Sequence, residues 1–156
     1  MLTFKNANSI IDLKNTYEIL SKLENSYPDF YDWYWNKIMP DTMLGNGQVI
    51  LAYNKNDLVG VSIIKDNEEK KLRALRITEQ YQNKGYGLYL IDESLKRLEC
   101  DKPLCSVSEN MINDYSRIFV NRYDFNLTHV YKNLYLKNNL EYEFNGRKEL
   151  KVKTKY

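Results

Sequence analysis

Gln82-Asn83-Lys84-Gly85-Tyr86-Gly87 is the segment of this 156-residue chain best equipped for chemistry. It stands between a strand-like run and a helix-like run, so it offers closely spaced backbone N–H groups where a helix begins. The first N–H groups of a helix lack internal acceptors, and the helix dipole favours negative charge beside them; such a turn binds phosphate. Glycine at 85 and 87 removes the side chains that would hold a ligand off the backbone. Two other phosphate motifs do not fit. No G-x-x-x-x-G-K-[ST] string exists, and the third glycine of a dinucleotide fingerprint is replaced by Leu90.

The elements that must position this turn can be read from periodicity. Leu2 to Lys5 suits a short strand, and Ser9 with Asp12 forms a capping arrangement ahead of a helix whose stripe is Ile10, Leu13, Tyr17 and Leu20. Pro28 ends that unit. Asp29 to Trp35 holds five aromatics in seven residues and predicts a second short helix closing near Pro40. Val49 to Tyr53 and Leu58 to Lys65 form a hairpin about the turn at Asn54 to Asp57, and Lys71 to Thr78 is a buried strand. After the glycine turn, Leu88, Ile91, Leu95 and Leu98 recur at helical intervals. Leu104 to Ser108 is a strand, Asp114 to Tyr123 a helix, and Leu127 to Tyr135 and Glu141 to Phe144 are two final strands. The order β-α-α-β-β-β-α-β-α-β-β predicts an α/β (α+β) fold, a mixed central sheet of about six to seven strands with helices on both faces.

Composition bounds the partners. Residues 1–156 suit one domain, with 43% hydrophobic and 28% charged residues. A net charge of +2 is too small to imply nucleic-acid binding from bulk electrostatics, although Arg147, Lys148, Lys151, Lys153 and Lys155 gather at the end as a solvated basic tail. Cys100 and Cys105 make no metal-ligand or redox pattern, and no apolar run approaches the roughly 20 residues that span a bilayer. The first residues lack the apolar core of a secretory leader, so a reducing cytoplasm is the expected compartment.

In these surroundings the string Leu75 to Gly87 closely resembles the acetyl-CoA site of the GNAT superfamily of N-acetyltransferases: a hydrophobic strand, then [Arg/Gln]-x-x-Gly-x-[Gly/Ala], then a helix, with the Gln at 82 and the glycines at 85 and 87. The resemblance runs over about residues 49 to 146, ending past Asp124-Phe125 where many members have Gly-Phe; the first 45 residues fit by element order alone. It implies a single domain of that fold. It also implies that backbone amides of Gln82, Asn83, Lys84, Gly85, Tyr86 and Gly87 receive the pyrophosphate of acetyl-CoA. The pantetheine arm would pair with Leu75 and Ile77, and Lys84 and Arg76 would add positive potential. Asn113 would either lie beside the CoA arm or cap the following helix.

The implied reaction is acetyl transfer to a primary amine, without a metal. The family's usual tyrosine acid, about five residues before the Phe of Gly-Phe, falls here on Val120, and Tyr115 or Tyr123 could substitute from neighbouring turns. Glu109 is the best carboxylate for a base, with a surface acid as the plain alternative. Glu79 suits turn contacts and His129 a structural place in a strand. Tyr31, Trp33 and Tyr34, with Phe30 and Trp35, would either wall an acceptor pocket or form an aromatic core. The competing expectations are a non-catalytic CoA-binding or protein-interaction module of the same fold and, more weakly, a nucleic-acid binder using the basic end. A homodimer through sheet edges is compatible with either of the first two readings.

Overall fold

β2 (Gly47–Asn54) sends Val49 and Leu51 to one face and Ile50 and Ala52 to the other, and all four are fully buried. A strand apolar on both sides must be covered on both. The computed structural model, which describes residues 1–147 and the backbone of 151–154, does this with two helical layers.

β1 (Leu2–Asn6), β2, β3 (Asp57–Asp66) and β4 (Lys70–Ile77) form an antiparallel sheet in that order. On one face lie α1 (Ile10–Leu20) and a helical segment over residues 30–43, made of α2 (Phe30–Trp33), a π-helical turn Tyr34–Ile38 and α3 (Met39–Met43). The other face carries α4 (Tyr86–Leu98) and α5 (Ile112–Ser116), the latter continued by a π-helical turn Arg117–Arg122. Helices therefore cover both faces, as the residue pattern predicts.

Local signals account for much of this. Ser9 Oγ accepts the Asp12 N–H at 3.1 Å while the Asp12 carboxylate accepts the Asn8 N–H at 3.1 Å, a reciprocal cap that starts α1. α4 buries Leu90, Ile91 and Leu98, each contributing roughly 1.5–3 kcal/mol of transfer free energy. Its rotation on the sheet is pinned by the buried contact of Ser94 Oγ with Ser62 Oγ of β3, 2.7 Å apart.

The second sheet runs β5 (Cys105–Ser108), β7 (Leu140–Phe144), β6 (Leu127–Lys132), β8 (Lys151–Thr154). β6 stops at Lys132, short of the expected Tyr135, because Asn133 takes φ +62° and turns the chain out of the strand. The eighth strand lies beyond the six to seven expected. Lys151–Thr154, read from sequence as solvated tail, pairs parallel to β6; Lys148 and Lys155 lie outside the described residues. The second helix also runs past its expected end at Pro40. The π-helical turn just before it accommodates the missing amide. Among the described residues no helix is long and apolar enough to cross a membrane.

Candidate active site

Ile77 ends β4, a short 3-10 turn (Glu79–Tyr81) follows, and Gln82 leads extended into two left-handed residues, Asn83 at φ +62° and Gly85 at φ +82°. Left-handed residues alternating with ordinary ones turn successive N–H groups toward one concavity, a shape that binds anions. The amides of Asn83, Lys84, Gly85, Tyr86 and Gly87 have no acceptor among the described residues. Gln82 differs from the expectation. Its N–H donates to Glu79 O at 3.3 Å, and its side-chain Nε2 donates to Ile77 O at 2.8 Å, so it braces the turn rather than offering a free amide. Lys84 Nζ sits 5.9 Å from the Tyr81 ring centroid, at the surface beside the turn.

The two glycines serve different needs. Gly85 carries a positive φ that favours glycine, with open space around it. Gly87 lies in the first turn of α4 without a positive φ, and a Cβ there would meet only Ile77 Cγ1 at 3.8 Å. Helical glycine costs about 0.5–1 kcal/mol against alanine. Nothing in the packing of the protein asks for it, so the space it keeps is available to a ligand.

Beside the turn the two sheets part. Among the described residues they meet through one parallel bridge, with Leu72 N–H on Leu104 O and Leu104 N–H on Lys70 O, both at 3.0 Å. Directly after it Arg73 is an extra residue in β4, since Ile64 pairs with Leu72 and Ile63 with Ala74. A bulge bends its strand, and this one is held by Arg73 Nη1 on Asp41 Oδ2 at 3.0 Å. Thr78 N–H bonds Val59 O on the β3 side. Alternation therefore turns the amide groups of Ile77 and Leu75 to the opposite edge, toward the gap between β4 and β5. Arg76 lies close enough to Tyr115 to draw its hydroxyl pKa down, against a larger upward push from burial.

The expected proton carriers fall in several places. Glu109 Oε1 accepts the Leu140 N–H at 2.9 Å while Glu109 N–H donates to Leu140 O at 2.9 Å, so its carboxylate clips β5 to β7. Tyr123 donates to Asp92 Oδ1 at 2.6 Å and to Leu88 O at 3.3 Å. Burial and then the Asp92 carboxylate push it up to about 12, and it lines a surface depression of about 600 Å³ over the C-terminal half of α4. Val120 is 44% exposed. Asn113 is exposed, and α5 has no side-chain cap, which removes the capping alternative. Glu79 pairs with Lys22. His129 is buried with Nδ1 2.7 Å from Glu143 Oε1, the structural place expected for it.

The aromatic segment is corrected in part. Tyr34 is fully buried and donates to Leu13 O at 2.6 Å, so it offers no surface to an acceptor. Tyr31 is exposed, edge-on to Tyr17, and Trp33 is half-buried on Phe30.

Sequence reasoning missed a second polar cluster. Glu141 of β7, 4% exposed, accepts from Tyr27 (2.9 and 3.2 Å to its two oxygens) and from Ser106 Oγ at 2.6 Å. The acid-aromatic alternation Glu141-Tyr142-Glu143 was the available signal, and alone it reads as a solvent face. Burial pushes the Glu141 carboxyl above its ordinary value, with Ser106 and Tyr27 pulling the other way. A carboxyl raised in the fold keeps its proton there more tightly than when unfolded. Its contribution is therefore present at low pH and lost as pH rises through the ordinary carboxylate range toward the folded value. Glu141→Gln, which cannot ionise, should be at least as thermally stable as the parent at about pH 7, with the difference shrinking at about pH 4. Unfolding scans at both pH values check this. Among the described residues no group of three or more His, Cys, Asp or Glu could hold a metal ion.

No protein-family model and no curated protein sequence matches the chain. Solved structures do. The ribosomal-protein-S18-alanine N-acetyltransferase of Escherichia coli superposes with TM-score 0.68 at 16% identity, over 92% of each chain. A GNAT-family acetyltransferase of Bacillus cereus gives 0.67 at 20% identity, over 95% of this chain and 98% of that one. One from Elizabethkingia anophelis, with acetyl-CoA bound, gives 0.63 at 17%, over 92% and 95%. At these identities the likeness is one of architecture, and the chain has the GNAT acetyltransferase fold.

Proposed function

We propose that the chain is an acetyl-CoA-dependent N-acetyltransferase that passes an acetyl group directly to a primary amine. The observation that carries this reading is the turn at 83–87: five adjacent amides without acceptors among the described residues, opening α4, and at Gly87 a missing Cβ that no packing explains. The acetyl-CoA in the Elizabethkingia structure of the same fold supports it.

Bound acetyl-CoA would supply the activated acetyl thioester. The amides of Asn83 to Gly87 would take its diphosphate, with Lys84 adding charge. The gap-facing amide groups of Leu75 and Ile77 would pair with an extended arm as a strand edge pairs with a peptide. A backbone N–H near Ile77 would be a fixed donor for negative charge gathering on a carbonyl oxygen. In the overall exchange a C–N bond forms and the C–S bond breaks, the amine gives up one proton and the thiolate takes one. Of the two tyrosines that could supply that proton, Tyr123 is committed to Asp92, which leaves Tyr115 as the candidate. Holding the reactants in line supplies much of the remaining rate.

Calorimetric titration with acetyl-CoA at near-physiological salt should show saturable one-to-one binding, and its absence defeats the reading. The exposed Val120 and the committed Tyr123 favour a second one, a CoA-binding module without turnover. Release of free thiol from acetyl-CoA in the presence of an amine panel rules it out.

A further inference from the structure

β4 changes phase at Arg73, and that change decides which of its backbone groups look into the gap. Before Arg73, the Leu72 N–H points away from β3, to Leu104 O at 3.0 Å. After it, the Thr78 N–H points toward β3, to Val59 O at 2.9 Å. Successive residues of an antiparallel strand direct their ladder bonds to alternate sides. Unbroken alternation from Leu72 would turn the even-numbered Ala74 and Arg76 to the gap. Because of the extra residue, Leu75 and Ile77 face it instead. The side chains agree. Leu72, Leu75 and Ile77 all lie in the core under α4, whereas Ala74 packs with α1 and the segment over 30–43.

The extra residue is covered and charged. The Arg73 side chain is 6% exposed and its Nη1 donates to Asp41 Oδ2 at 3.0 Å, on a carboxylate 19% exposed. Breaking a buried ion pair strands a charge in the interior, so Arg73 is strongly held to Asp41. The acid is itself fixed in place. Its backbone oxygen accepts the Asn46 N–H at 2.9 Å, and Lys37 Nζ stands 3.7 Å from the same Oδ2. Arg73 and Ala74 thus both face the layer of α1 and α3, where ordinary alternation permits one of them. The ion pair keeps the first there and packing keeps the second.

We infer that Arg73 and Asp41 are positioning residues for the acetyl donor: their ion pair fixes the bulge that turns the Leu75 and Ile77 amides toward the arm of acetyl-CoA. This rests on the acetyltransfer reading above. It makes α3 a support of the donor strand, although α3 lies across the sheet from α4.

Calorimetry on the whole chain with two ligands tests this: acetyl-CoA, and adenosine 3′-phosphate 5′-diphosphate, which carries the diphosphate without the arm. Arg73→Met keeps an apolar stem and removes the charge. It should bind acetyl-CoA about tenfold more weakly, the scale of one or two lost main-chain hydrogen bonds. The nucleotide, held by the turn at 83–87, should bind as it does to the parent. Asp41→Asn keeps the shape and should show the same split, so it carries the test if Arg73→Met does not fold. Arg73→Lys should recover most of the affinity, because the contact uses a single nitrogen. General loosening of the fold would weaken both ligands together. An equal loss for the two ligands, or an acetyl-CoA affinity unchanged in both Arg73→Met and Asp41→Asn, overturns this inference alone. Absence of acetyl-CoA binding in the parent overturns the acetyltransfer reading and this inference with it.

Discussion

Gly87→Glu should abolish acetyl-CoA binding in calorimetry while leaving the protein folded. The side chain would rise from the first turn of α4 into the space the free amides face, placing a negative charge where the diphosphate is expected. The fold has no objection, since the nearest atom to a Cβ at 87 is Ile77 Cγ1 at 3.8 Å. Gly87→Ala is the matching control, since the resembled pattern admits alanine there. Alanine in a helix is favoured over glycine by about 0.5–1 kcal/mol, so the melting temperature should rise by a few degrees while acetyl-CoA still binds. Gly85 is a poorer probe, since its φ of +82° makes any side chain strained and would mix both losses. A Gly87→Glu protein that binds as tightly as its parent would remove the turn from the site.

The turn was legible in the sequence because its chemistry is backbone chemistry. Glycines at fixed offsets between a strand and a helix announce it, and so do the Ser9 cap and the hairpin at Asn54 to Asp57. The strand count was less legible. Lys151–Thr154 is polar and lysine-rich, and it becomes a strand only because the edge of β6 supplies hydrogen-bond partners. Glu141 was hidden by distance. Its burial depends on Tyr27, 114 positions earlier, so nothing near it in sequence betrays that it is covered. The partners of Tyr123 and Glu109 were hidden for a related reason. Residue type suggests an acid or a base, but Asp92 and the Leu140 amide had already claimed them. The aromatic run 30–35 named the right residues without saying which point inward, because a π-helical turn begins at Tyr34 and shifts the phase that an ordinary helix would set.

Tyr34→Ala tests that last correction. The ring is fully buried, 5.4 Å from Tyr17 and 4.8 Å from Trp35 between centroids, and its hydroxyl donates to Leu13 O at 2.6 Å. It stands on one stripe with Phe30 and Ile38, all three buried against β2 and β3. Truncating a buried aromatic costs about 3–5 kcal/mol, a large share of the roughly 5–15 kcal/mol that holds a domain folded. The melting temperature should fall by on the order of 10 °C. Tyr34→Phe keeps the ring and deletes the hydroxyl, leaving Leu13 O without that donor, at a cost of about 1–3 kcal/mol. Acceptor KM should not change in this variant, because no surface of Tyr34 faces solvent. The opposite pattern, an unchanged melting temperature with a shifted acceptor KM, would return Tyr34 to the acceptor pocket and move the aromatic cluster from core to site.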